Sequence, residues 1–168
     1  MSNTKERVIL SIITNIFRIA LPLIGGKLIG AYAVKNARAD LRKTKKPPFS
    51  PPGYVFPIVW SILYTCMGIA YTVAKNTQNN ASHITSAHYT QLGLNYLWSL
   101  LYFKFKLRGF ALIESYMLLL SVIVMCMKFL KAHKFSGLIM MPYVLWSTFA
   151  SYLTTGNWLL NKDNPDYH

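Results

Sequence analysis

The residues whose spacing could do chemistry are aromatic. Phe56, Trp60 and Tyr64 recur every four positions, which places them on one face of a helix. Asn95 and Trp98, three apart, share a face in the same way, and so do Tyr143, Trp146 and Ala150. An apolar cavity with a few polar groups holds flat hydrophobic ligands. The same spacings also suit plain aromatic packing or an interfacial belt. Spacing alone leaves both readings open.

Other chemistry is sparse. Glu114 is the one carboxylate inside a long apolar run, and intramembrane acids are functional candidates. Its structural reading is an anion near a helix start, where the dipole favours it and Arg108 is close. His83, His88, His133 and His168 fall in stretches read as loops or tail, which leaves no histidine at membrane depth to ligate a haem iron. Cys66 and Cys126 lie in apolar runs and build neither a disulfide framework nor a zinc site. No hydrolase triad, zinc-protease motif or phosphate-binding glycine pattern is present. The conventional catalytic kits are absent, and no cofactor is expected.

The elements that must position these residues are transmembrane helices. The 168 residues are 53% hydrophobic and 14% charged, against about 25% charged in soluble domains. A single domain of five spans is expected, an all-α membrane bundle, over roughly 8–34, 54–75, 89–105, 109–129 and 136–160. The first span carries Arg18 and Lys27, nine residues apart and on opposite faces, which must snorkel toward opposite interfaces. Gly26 and Gly30 form a small-xxx-small pattern for close helix contact. The first run lacks a small-residue cleavage site and is kept as a helix rather than a signal peptide. Lys35 to Pro52 is basic and then proline-rich, a semi-rigid flap that cannot continue a helix.

Eighteen Lys and Arg against five Asp and Glu give a formal charge of +13. The basic residues cluster between apolar runs and no base-reading motif accompanies them, so nucleic acid is not the expected partner. With five spans, ten basic residues fall on the side of the first and third loops and the C-terminus, and six on the other. The positive-inside rule then puts the N-terminus outside and the C-terminus in the cytoplasm.

Several separated motifs agree in one register. Lys46-Pro47-Pro48-Phe49-Ser50-Pro51-Pro52 precedes Val59-Trp60, Leu63-Tyr64 and Met67-Gly68. Leu94-Asn95-Tyr96 with Trp98, Glu114, and Pro142-Tyr143 with Trp146 and Phe149 follow in order. This pattern resembles the translocator protein family, also called the TspO/MBR or peripheral benzodiazepine receptor family, from about Pro22 to Asn161. The resemblance implies a five-helix bundle, often a homodimer, with a cavity beneath the first loop for porphyrins, cholesterol or benzodiazepine-type ligands. It casts Trp60, Asn95, Trp98, Trp146 and Ala150 as cavity lining, and Pro51, Phe56 and Tyr64 at the entrance or along the second helix. It also implicates Trp60 and Trp146 in light-dependent porphyrin breakdown.

The chain departs from the family pattern in places. Phe49 stands where a Trp is usual, Asp40-Leu41 where Trp-Tyr is common, and Ser99-Leu100 where many members have prolines, so less kinking is expected there. Glu114 replaces the usual Asp. Thr154 and Thr155 replace an Asn-Tyr pair, which removes the Tyr of a sterol-recognition pattern; Leu100-x-Tyr102-x-Lys104 offers only a hypothesis-grade substitute. The expectation is therefore a receptor or carrier for porphyrin-like tetrapyrroles, protoporphyrin IX among them. Light-dependent porphyrin degradation, and a sterol-binding or stress-regulatory membrane protein, are the alternatives. The motif details favour a bacterial cell membrane over a mitochondrial outer membrane.

Overall fold

A computed structural model describes residues 2–35, 42–78 and 80–167. Arg38 and Asp40-Leu41 of the first loop, and His168, lie outside the described residues. Five long helices form the bundle: α1 (Ser2–Val34), α2 (Val55–Thr77), α3 (Ser82–Ser99), α4 (Arg108–Ala132) and α5 (Met141–Asn161). A one-turn helix, Lys134–Leu138, leads into α5. No strand occurs among the described residues. Three helices are by length and composition apolar enough to cross a membrane: Thr4–Val34, Val55–Thr77 and Arg108–Ala132.

Exposure inverts the soluble pattern. Ile58, Ile62, Ile113, Leu120 and Leu145 are 56–72% exposed, whereas His88, Gln91, Asn95, Ser147 and Thr154 are buried. Polar groups turned inward and branched apolar groups outward are what a lipid surround selects.

The α1–α2 contact depends on small residues. A Cβ on Gly68 would lie 2.6–3.0 Å from the Ile19 backbone, so the two helices touch backbone to backbone there. Gly26 leaves space filled by the Tyr64 ring, but Gly30 has nothing within 4 Å of its would-be Cβ. Within the chain the Gly26–Gly30 pair is therefore not a helix-contact motif; Gly26 and Gly68 serve that purpose. Arg18 donates to Asn76 Oδ1 at 3.0 Å and to Asn15 Oδ1 at 3.2 Å, which seats its charge beside the polar last turn of α2.

Four boundaries differ from the sequence reading by five residues or more: α1 begins at Ser2 rather than 8, α5 at Met141 rather than 136, and both ends of the third helix move. The third helix begins at Ser82, seven residues before the expected start, within a stretch read as loop. Low hydropathy hid it, because its inward positions Ile84, His88, Gln91 and Asn95 are mostly polar. Its other end follows the missing prolines: the chain does not break at Ser99-Leu100 but widens into a π-helical turn, Leu100–Lys104, with Phe105 N–H donating to Leu100 O at 2.9 Å. The widened turn stacks Trp98 on Tyr102 at 5.1 Å.

Candidate functional site

The proline-rich segment between α1 and α2 is a strap laid along α5. Asn161 brackets Lys45 from both sides: Lys45 N–H donates to its Oδ1 and its Nδ2 donates to Lys45 O, each at 2.8 Å. Pro47 packs on Gly156, whose would-be Cβ lies 2.5 Å from Pro47 Cβ. Tyr152 O–H donates to Pro48 O at 3.1 Å. Phe56, at the start of α2, then meets Trp146 edge to face at 5.9 Å. These contacts run antiparallel, from Asn161 back to Trp146. Pro51 is half-buried in the strap, and Phe49 carries the strap's bend at φ 61° with its ring 88% exposed.

Beneath the strap the aromatic residues converge. Trp60 lies against Tyr64 at 5.4 Å and edge-on to Tyr143 at 6.0 Å. Trp60, Trp98 and Ala150 line one small cavity together with Ser115, Leu118, Ser147 and Ser151. Its volume is about 10 Å³, room for about one water. Trp146 faces the other way. It lines an outer apolar groove of about 380 Å³ between α2 and α5, with Val59, Ile62, Leu63, Pro142, Leu145 and Phe149.

A buried hydrogen-bond chain forms the floor. Tyr64 O–H donates to Asn95 Oδ1, Asn95 Nδ2 donates to the Tyr143 oxygen at 3.1 Å, and Tyr143 O–H donates to Gln91 Oε1 at 3.0 Å. Gln91 Nε2 ends the chain on Met67 Sδ at 2.9 Å. The chain ties α2, α3 and α5 together, and each polar atom in it has a partner, as a dry interior requires. Asn95 and Tyr64 thus answer to each other.

Sequence reasoning missed Gln91, Ser115, Ser147 and Ser151. The signal was available: Ser147 and Ser151 repeat at four beside Tyr143, and Gln91 stands four before Asn95. Two expectations are corrected. His88 is not in a loop; it is fully buried in α3, stacked on Tyr71 at 4.0 Å, and His83 also falls within α3. Glu114 is 5% exposed with no hydrogen-bond partner on either oxygen, and Arg108 does not meet it. The Arg108 guanidinium donates instead to Tyr167 O at 2.9 Å. Six residues at about 100° each turn Arg108 away from the Glu114 face. No group of three or more metal-ligating side chains occurs among the described residues.

Inward polar residues, lipid-facing apolar ones and a tryptophan-lined cavity under a strap define an integral membrane protein of the five-helix bundle class. The family model for the TspO/MBR family matches residues 18–159, and the chain belongs to that family. It is 32% identical to the tryptophan-rich protein TspO of Archaeoglobus fulgidus over 91% of this chain and 98% of that protein. It is 33% identical to protein CrtK of Rhodobacter capsulatus over 70% of this chain and 75% of that one. The translocator protein of Bos taurus is 28% identical over 84% and 86%.

Proposed function

We propose that this protein is a membrane receptor or carrier for porphyrin-like tetrapyrroles, with protoporphyrin IX as a ligand, and for other flat hydrophobic molecules such as benzodiazepine-type compounds. The observation that carries the reading is the convergence of Trp60, Trp98 and Ala150 on one cavity beneath the strap, with the Tyr64–Asn95–Tyr143 chain as a polar floor. Indole faces stack on a macrocycle, and a few fixed polar groups orient it. The reading places the protein in a bacterial cell membrane as a homodimer, its N-terminus outside and its basic strap on the cytoplasmic side.

The test is quenching of tryptophan fluorescence by protoporphyrin IX in detergent, in the dark and then under illumination. Saturable quenching in the dark is expected, weakened about 2- to 10-fold in Trp60→Phe and Trp98→Phe, the range one aromatic contact spans. Absence of saturable quenching would sink the receptor reading. A second reading, light-driven porphyrin degradation, draws on the contact of Trp60 with both Tyr64 and Tyr143, oxidisable rings beside a bound pigment. It requires loss of the Soret band under light that disappears in Trp60→Phe. Equal bleaching by both proteins would exclude that role for Trp60.

A further inference from the structure

Arg108 is the first residue of α4 and is only 3% exposed. A cation at a helix N-terminus opposes the helix dipole. Nothing in the local sequence offsets it, because the first turn holds no acid and Leu107 supplies no side-chain cap. The first-turn N–H groups precede the first bond of the helix, from Ala111 N–H to Leu107 O. No described carboxylate pairs with the guanidinium. One nitrogen, Nη1, donates to Tyr167 O, and Nε has no partner. The guanidinium carbon lies 4.2 Å from the Tyr167 ring centroid and 5.7 Å from that of Tyr102. Among the described residues the guanidinium meets no carboxylate, and a buried arginine is costly unless an anion joins it.

What covers Arg108 is the chain's own tail. The short 3₁₀ turn Pro165–Tyr167 folds back from α5 and buries Tyr167 to 2% exposure. Burial holds the Tyr167 phenol above its ordinary range, although the nearby arginine opposes this, so Tyr167 itself brings a neutral ring and a carbonyl dipole, and a full negative charge binds a guanidinium better. The surroundings are basic: Lys104 and Lys106 precede Arg108, and Lys45 is held at the same end by Asn161.

We propose that Arg108 and the first turn of α4 form a binding site for a single anionic group, a carboxylate or phosphate on an amphiphile at this interface, and that the tail through Tyr167 occupies the site as a displaceable cover. The guanidinium offers a planar fork for such an oxyanion, the helix N-terminus adds unbonded N–H donors, and the basic rim concentrates anionic headgroups. The site is separate from the tryptophan cavity and stands or falls without it.

The experiment is calorimetric titration of the full-length protein in neutral detergent with dioctanoyl phosphatidate, with dioctanoylglycerol, and with inorganic phosphate. Saturable phosphatidate binding is expected, with none for the diacylglycerol, which has the same tails and no charge. Phosphate binding as well as phosphatidate would assign recognition to the free anion; phosphatidate alone would assign it to the lipid headgroup. Tyr167→Ala should bind phosphatidate more tightly by about tenfold, since the competing cover is gone, and Arg108→Gln should lose at least as much. Should Arg108→Gln fold poorly, Arg108→Lys keeps the charge, loses the fork and should bind more weakly than wild type. Equal binding of phosphatidate and diacylglycerol, or a Tyr167→Ala affinity no greater than wild type, would overturn the proposal.

Discussion

Tyr143→Phe removes one oxygen and leaves the ring, so it tests the hydrogen-bonded floor without opening a void. That oxygen accepts from Asn95 Nδ2 at 3.1 Å and donates to Gln91 Oε1 at 3.0 Å. Both partners are sealed: Asn95 is 2% exposed and Gln91 0%. Interhelical hydrogen bonds between membrane helices average about 0.6 kcal/mol and reach about 1.7, so two lost bonds cost roughly 1–3 kcal/mol. The upper end is expected here, because a donor and an acceptor are both orphaned where water does not reach. Tyr64→Phe removes only one bond, to Asn95 Oδ1, and should cost about half as much. The assay is unfolding in mixed micelles of rising SDS fraction, followed by circular dichroism. Gln91→Leu added to Tyr143→Phe deletes the orphaned acceptor, so the double mutant should be more stable than the sum of the singles by at least about 0.5 kcal/mol. A Tyr143→Phe protein within about 0.3 kcal/mol of wild type, or strict additivity in the cycle, would refute the chain as a stabilising unit.

Three further outcomes are expected. Gly68→Ala drives a Cβ into the Ile19 backbone and should cost about 1–3 kcal/mol in the same assay; Gly30→Ala, with open space around it, should be neutral or stabilising by up to about 1 kcal/mol. Glu114→Leu replaces a buried carboxyl that has no partner and should raise the free energy of unfolding, as removal of an unpaired polar group does, by about 1–3 kcal/mol; a lowered unfolding midpoint would mean the carboxyl has a stabilising role. Asn161→Ala severs both bonds to Lys45 and should hasten tryptic cleavage after Lys45 while leaving the helical signal unchanged; an unchanged cleavage rate would show that the strap is held elsewhere.

Much of the bundle was legible because lipid imposes a simple rule: α1, α2 and α4 are long apolar runs, and their ends fell within a few residues of expectation, apart from the longer start of α1. α3 was legible only in its second half. Its first turns, Ser82 to Gln91, are polar on the outside and carry His88 and Gln91 on the inside, so hydropathy had nothing to register. The repeat of Ile84, His88, Gln91 and Asn95 was the signal, and it is a period of helix rather than an excess of grease. In the site, spacing gave only shared faces and the family resemblance cast Trp60, Trp98 and Ala150 as cavity lining; these three line one small cavity in the structure. Trp146 shares its spacing with Tyr143 yet looks outward into the groove. A repeat of three or four fixes a common stripe, but a stripe wide enough to touch two compartments does not say which one each ring enters. The Arg108 contact was beyond reach for a different reason, since it depends on a tail returning across 59 residues.

The cavity and the proposed ligand differ in scale, and that difference says where the molecule must give way. A space of about 10 Å³ admits no macrocycle, so binding of one requires the walls to part. The walls are not equally firm. α4 and α5 are joined by Ser151 Oγ donating to Ser115 O at 3.2 Å and by the Tyr116–Thr155 hydroxyl pair at 2.8 Å. α1 and α2 meet backbone to backbone at Gly68, and the floor is hydrogen-bonded through three helices. Between α2 and α5 near the mouth, by contrast, the ring contacts Phe56–Trp146 and Trp60–Tyr143 are the bonds to break, each a matter of about 0.5–1.5 kcal/mol. The strap crosses this same seam. It is continuous with α2 at one end and hydrogen-bonded to α5 at the other, so α2 and α5 cannot separate at the mouth unless it peels from Tyr152, Gly156 and Asn161. Its prolines stiffen it, and a stiff strap is released as a unit rather than residue by residue. The proline-rich sequence before α2 is therefore what sets how readily an otherwise weakly held seam opens.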